Sequence, residues 1–464
     1  MTSEALHRYP RSLPERKTPA ISAGDGGSLP VTLLLVSFAI PWLIPVGPLV
    51  LSVYRLFLLA MAGPCLLMWL AGRAGRVRVA DIAILCLCLW CTVALWVVHG
   101  GGVAFEAGGV QFIETFGAYL VARCYVRSAR QFVQMIRTAF LIIACLAPLA
   151  FIEMVTGVNI ARAIFAAVLP TYQPDGVTDM RAGMTRAMVI FEHPILFGLF
   201  AGSFLSLVHM VLGRKDGLLL RWTRSGIICA ATVFSLSSGP LGILVMQIAL
   251  IAWNWLMRAN PYRWHLVWAL AGIAYVAIDL ASNQSPIQFY ISRLTFSQES
   301  AWYRFLIWDY GTASILANPL FGVGFGEWVR PSYMTTSFDM FWLILPLRHG
   351  MLAGVFLYAA FAAIYFGVMF KRLPTPELGE YRAAYLITLT AFFLIGWAVH
   401  LWGAPYVLLF TLLGAGGWFL DQPRDPPAED AIDVPASRHR SGAAVPVRRS
   451  RLAGEAGASK RTQP

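Results

Sequence analysis

The stretch TRAMVIFEHPILFG, residues 185–198, places Arg186, Glu192 and His193 at the start of an otherwise apolar run. A second group lies in or just after one later segment: Arg293, Arg304, Glu327, Arg330 and Asp339. A guanidinium holds a phosphate through two parallel hydrogen bonds and keeps its charge at any working pH. A carboxylate or an imidazole can take the proton that an attacking hydroxyl releases. Several such arginines beside an apolar surface suit a pyrophosphate displayed by a lipid carrier. Plainer readings stand beside this one. Arg181 and Arg293 can be solvated loop charges. Glu192 can pair with His193 or a loop, and His193 can cap the helix break at Pro194. Arg348 and His349, in LPLRHG, can be polar glue between helices. An ionisable group inside an apolar span is still a functional candidate by default.

The elements that must position these residues follow from composition. Of 464 residues, 58% are hydrophobic and 13% charged, against roughly 45–50% and about 25% in soluble domains. Mean hydropathy is +0.64. This is the composition of a polytopic membrane protein. The formal charge of +12 does not indicate nucleic acid, because the basic residues sit in short clusters between apolar runs and near the C-terminus. That is the pattern of orientation signals and anionic-lipid contact. The seven cysteines all lie in apolar segments. Cys86, Cys88 and Cys91 resemble ligand spacing, but residues two apart on a helix do not share a face, and they read as small buried hydrophobes.

A bilayer crossing needs about 20 residues of helix. The chain is expected to be an all-α transmembrane bundle of about twelve spans. They lie near 30–46, 48–71, 80–98, 109–125, 133–156, 188–212, 226–237, 239–257, 264–281, 343–370, 383–400 and 403–420. The first part of 339–370 is expected to lie along the interface. Alternate loops carry GRAGRVR, RSAR, GRKDGLLLRWTR, RANPYR and KRLPTPELGEYR. The basic-loop rule puts these and both termini in the cytoplasm. Domain organisation then reads as a cytoplasmic tail at 1–29, a membrane domain at 30–420, and a disordered cytoplasmic tail at 421–464. Two outer segments are long, 157–187 and 282–338, the latter between spans nine and ten. The polar N-terminus is too long before the first apolar run to be a cleavable signal. No nucleotide-binding loop is present. GVGFG, 322–326, lies in an outer loop, where it suits a turn bringing backbone close to a ligand.

RAGMTRAMVIFEHPILFG, SLSSGPLGIL, SRLTFSQESAWYRFLIWDYGTASILANPLFGVGFGEWVRPSYM and SFDMFWLILPLRHGMLAG together resemble the O-antigen ligase and polymerase family of bacterial membrane proteins. The resemblance covers roughly residues 180–370, and NPLFGVGFG is its most specific block. It implies an inner-membrane glycosyltransferase working at the periplasmic face without a nucleotide sugar, a cofactor or a metal. The donor implied is an oligosaccharide on undecaprenyl pyrophosphate. The acceptor implied is another lipid-linked repeat unit, or lipid A–core. Arg186 and Arg304 match the positions that hold the pyrophosphate, with Arg330 as a third candidate. Asp339 or Glu327 is the expected base, with His193 as runner-up. Ligases follow the glycine block with a His-Asn pair; this chain has Asp339-Met340, which is closer to the polymerase branch. The Arg that often follows the seventh helix is replaced by SSGP. Trp302, Trp308, Trp328 and Tyr333 are candidates for stacking on sugars. Expected partners are the lipid-linked oligosaccharide, membrane lipids and a candidate chain-length regulator, with no nucleic acid. The alternative activities are O-antigen ligation and, in a different class, a polysaccharide flippase or exporter.

Overall fold

The computed structural model describes residues 28–47, 49–172, 180–283, 285, 286, 289 and 298–423. Nearly all of both expected tails, and Arg293, lie outside these residues. Among the described residues, nine helices are long and apolar enough to cross a membrane. They are Val53–Leu70, Val79–His99, Ala129–Thr156, Pro194–Arg214, Ser238–Leu256, Arg263–Ala281, Met351–Phe370, Pro376–Ile395 and Gly403–Asp421. The protein is therefore a helical membrane protein.

The other three expected spans take different forms. Residues 30–46 were expected to be one span. The helix instead ends at Phe38 after ten residues, because Pro41 and Pro45 follow and proline cannot continue a helix. The chain turns into a hairpin, Leu43–Val46 with Leu49–Ser52. Near 109–125 the helix starts earlier, at Gly101, in what reads as a loop of glycines. The Phe105 ring packs edge-on to Trp96 at 5.5 Å. The path then passes through a π-helical turn, Ile113–Gly117, into Ala118–Tyr125. The third, expected at 226–237, is a helix of 17 residues, Leu218–Phe234, which begins inside a basic loop.

The interior is built on the Gly403–Ala415 helix, all of whose residues are buried. A helix apolar all round belongs at the centre of a bundle. Gly414 lets it meet the Ala118–Tyr125 helix, since a Cβ there would strike the Tyr119 carbonyl. Arg263–Ala281 is the opposite case, with no buried residue along its length.

The segment before 351, expected to lie along the interface, packs into the bundle. Eight of the nine residues of the Phe341–His349 helix are buried. Gly350, at φ +83°, ends it where a Cβ would overlap the Leu320 carbonyl. The glycine block docks here: Val323 and Gly324 donate to the Leu347 and Arg348 carbonyls, each at 2.9 Å. Its glycines thus bring backbone against backbone.

The basic loops meet at one end of the bundle. Buried Arg123 donates to Asp421 at 2.9 Å and to the Arg76 carbonyl. Arg78 donates to the other Asp421 oxygen at 2.6 Å. Lys371 donates to the Leu420 carbonyl, and Arg382 to the Lys371 carbonyl. Arg263 and Lys215 reach Glu380 and Glu377, each at 3.8 Å.

Candidate functional site

Arg181 lies in a short hairpin, Met180–Arg181 with Met184–Thr185, and Arg186 directly follows it. Its turn is Ala182-Gly183, both at positive φ. Beyond it, Ala187 donates to the Phe234 carbonyl at 3.0 Å. This lays both arginines along the SLSSGP turn. Arg181 Nη1 donates to the Leu236 carbonyl at 3.0 Å. Arg186, only 5% exposed, donates through Nη2 to Ser237 Oγ at 2.9 Å. The Ser237 hydroxyl in turn donates to the Ser235 carbonyl.

Arg304 comes from the Gln298–Ala317 helix. Its Nε donates to the Ala398 carbonyl at 2.9 Å. Ala398 lies in an unwound connector, 396–402, between two apolar helices. The start of the Phe341–His349 helix braces that connector: the Phe341 and Trp342 amides donate to the Val399 and Gly396 carbonyls, at 3.2 and 3.4 Å. The SLSSGP turn packs on the same ground, because a Cβ at Gly239 would sit 3.2 Å from Val399 Cγ2.

Asp339 stands two residues before Phe341 and accepts from Ser337 Oγ at 2.8 Å. Burial pushes the Arg304 guanidinium below its ordinary value; Asp339 pulls it back up and Arg181 pushes it further down. Three arginines and one carboxylate thus gather around residues 236–237 and 398, at the end opposite the basic loops. Guanidiniums gathered in this way are suited to an anion.

The other expected residues are placed elsewhere. Arg330 pairs with Glu327, three residues away, and donates to the Met334 carbonyl at 3.3 Å. Glu327 is largely exposed. His193 caps the Pro194–Gly202 helix, its Nδ1 accepting from the Ile195 amide at 3.1 Å, with its ring against Trp402. Trp302 and Tyr333 are exposed, whereas Trp328 packs on Phe338 and Trp308 on Trp397.

Beside the arginine cluster lies a cavity of about 730 Å³. Phe341, two residues from Asp339, and His400, two residues from Ala398, are among its lining residues, with Trp402. Deeper in, Arg55 donates to Glu114 at 2.7 Å, and Tyr54 donates to the same carboxylate oxygen at 3.1 Å. Glu192 lines the cavity next to Gly403. Its carboxyl is raised above the ordinary carboxylate value, chiefly by burial. The imidazole of His400 is pushed down to about 4, by burial first and then by Arg348.

Arg55 and Glu114 were legible in principle, since each is a charge inside an expected span. His400 carried no signal beyond its place in a short loop. Arg181 was visible only as a loop charge.

No protein-family model matches the chain, and no curated protein is similar to it in sequence.

Proposed function

We propose that the chain is a membrane glycosyltransferase of the bacterial inner membrane, which polymerises undecaprenyl-pyrophosphate-linked oligosaccharides at the periplasmic face. In this reading the basic loops face the cytoplasm and both termini lie on that side, with about twelve segments entering the bilayer. The observation that carries it is the convergence of Arg181, Arg186 and Arg304 beside Asp339, away from the basic loops. The resemblance of residues 180–370 to the polymerase branch supplies the substrate class.

The chemistry follows from the charges. An acceptor hydroxyl attacks the anomeric carbon of the donor sugar. The bond from that carbon to the phosphate oxygen breaks, and the lipid diphosphate leaves with the electron pair. Arg186 and Arg304, with Arg181, stabilise the charge that develops on it. Asp339 takes the hydroxyl proton. Arg330 is engaged by Glu327 and is the weaker candidate for the diphosphate.

Interruptions in apolar helices at 203–204 and at Gly350 favour a second reading, an exporter of the same glycan, because transporters bind substrate at broken helices. One experiment separates the two. Arg186→Ala and Arg304→Ala should each lower polymer yield by about 10²-fold or more, the usual effect of removing a charge-stabilising donor. The lipid-linked repeat unit should accumulate outside. Accumulation inside would favour the exporter, and normal chain length in both variants would end the proposal. Asp339→Asn should stop turnover with donor binding retained.

A further inference from the structure

We propose that Arg348, seated on the ring of Phe325 at the cavity beside the arginine cluster, binds a carboxylate carried by a sugar of the substrate glycan. The inference rests on the function proposed above for the source of that sugar, and it makes Arg348 a residue that selects acidic glycans.

The guanidinium is positioned without being consumed. Its carbon lies 5.4 Å from the Phe325 ring centroid, a cation–π contact. Among the described residues the Arg348 side chain donates no hydrogen bond and joins no ion pair. Polar glue between helices would need such a partner. Neighbouring arginines are spent: Arg55 on Glu114, Arg162 on the Phe191 carbonyl, Arg330 on Glu327. An aromatic face takes up none of the fork, so the donors of this half-buried side chain stay available to a ligand.

The platform is itself built. The Phe325 amide donates to His99 Nε2 at 2.8 Å, and its ring stacks on the imidazole at 5.7 Å. The Gly324 amide donates to the carbonyl of Arg348 itself at 2.9 Å. Gly324 has φ +61°, and a Cβ there would strike the His99 ring. The glycine block thus fastens the ring to the residue whose side chain it carries. Phe341, Ile344, Leu345 and Arg348 all line the cavity, and that spacing is one face of a helix. The face begins two residues after Asp339 and is apolar until Arg348, about 10 Å further along. A ligand lying on it has its charged end at Arg348 and its other end toward the proposed base.

Charge sets the ligand. A guanidinium fork pairs with a carboxylate or a phosphate through two hydrogen bonds. The remaining charges choose between them. Arg55 is committed to Glu114 at 2.7 Å, and Glu106 and Glu192 also line the cavity. Their repulsion scales with the charge of the ligand. A carboxylate meets it once. A diphosphate meets it several times over with a single guanidinium in its favour, and suits the three arginines of the cluster instead.

The test uses the full chain in nanodiscs bounded by scaffold protein, free of sugar detergents. Saturation-transfer NMR is run with glucuronate, glucose and acetate as probes. Glucuronate should receive transfer at its ring protons, and glucose should bind about tenfold more weakly. Arg348→Gln should weaken glucuronate by about tenfold or more, the effect of losing a charged hydrogen-bonded pair. Arg348→Lys should restore part of the loss by keeping the charge. Phe325→Ala, at a half-exposed side chain, removes the platform and should cost about threefold. No transfer to glucuronate, glucose binding as tightly, or affinity unchanged in both Arg348→Gln and Phe325→Ala would each overturn the assignment. Acetate binding as tightly as glucuronate would overturn the sugar as source, and displacement by equimolar pyrophosphate would overturn the carboxylate. Binding requires no turnover. Failure of the polymer assay therefore strikes the proposed function alone, and failure here strikes only the Arg348 site.

Discussion

A single guanidinium shows how residue type and surroundings divide the work. Arg304 could be nominated as a phosphate ligand from its type alone, because its charge and fork geometry are intrinsic. Its value in the site depends on neighbours that no spacing reveals, Asp339 raising and Arg181 lowering its hold on the proton. Arg330 is the reverse case. Glu327, three residues before it, engages the charge locally, and that spacing was visible. His400 gives a test at this scale. Burial holds its imidazole down to about 4, whereas an exposed imidazole titrates near 6.5. Between those values the unfolded chain binds a proton that the folded chain refuses. The stability contribution is therefore complete above about pH 6.5 and is lost as pH falls, through the folded value of about 4. Each pH unit in that window removes up to about 1.4 kcal/mol. The melting temperature should drop between pH 7 and pH 5 by less in His400→Gln than in the parent chain. Equal drops would assign the acid sensitivity to another group.

At the scale of elements, the loop that presents Arg186 and Glu192 is held by residues far from it in sequence. Val189 sits at φ +52°, a left-handed conformation costly for a β-branched residue. Glu153, from the Ala129–Thr156 helix, accepts from its amide at 2.8 Å. Asn159 Nδ2 donates to the Val189 carbonyl at 2.7 Å and to Glu153 at 3.0 Å. Arg162 donates to the Phe191 carbonyl at 2.7 Å. Glu153→Ala would leave a buried amide unmet, at a cost of roughly 1–3 kcal/mol. Thermal stability and polymer yield should fall together, although Glu153 is not assigned to touch substrate. Full polymer yield in this variant would mean that the loop holds its shape unaided. The helices themselves were legible as apolar runs. The π turn at 113–117 and the hairpin at 43–52 were not, because hydropathy reports what a segment avoids and says little about its backbone geometry.

For the whole molecule, the decisive feature is the separation of charge between two ends. The basic loops tie themselves together through Asp421, Leu420 and Glu380, while the arginine cluster and its cavity occupy the other end. The proposed orientation predicts opposite labelling. A membrane-impermeant maleimide should reach Ser337→Cys in intact cells stripped of outer membrane. It should reach Gly379→Cys only after permeabilisation. The reverse result would put Arg304 in the cytosol, where no translocated donor could reach it.

Composition and spacing alone determined that this chain is a helical membrane protein and which loops are basic, and they supplied the set of outlying charges from which the resemblance singled out Arg186, Arg304 and Asp339. Those are properties of side chains and of apolar length, and they survive without coordinates. Only the tertiary structure decided that Arg181 joins the cluster and that a mixed-charge cavity opens beside Phe341 and His400. The cluster depends on contacts between segments more than 50 residues apart, Arg181 with Leu236 and Arg304 with Ala398. Such contacts are set by how the helices pack, and one-dimensional patterning does not encode that packing in readable form.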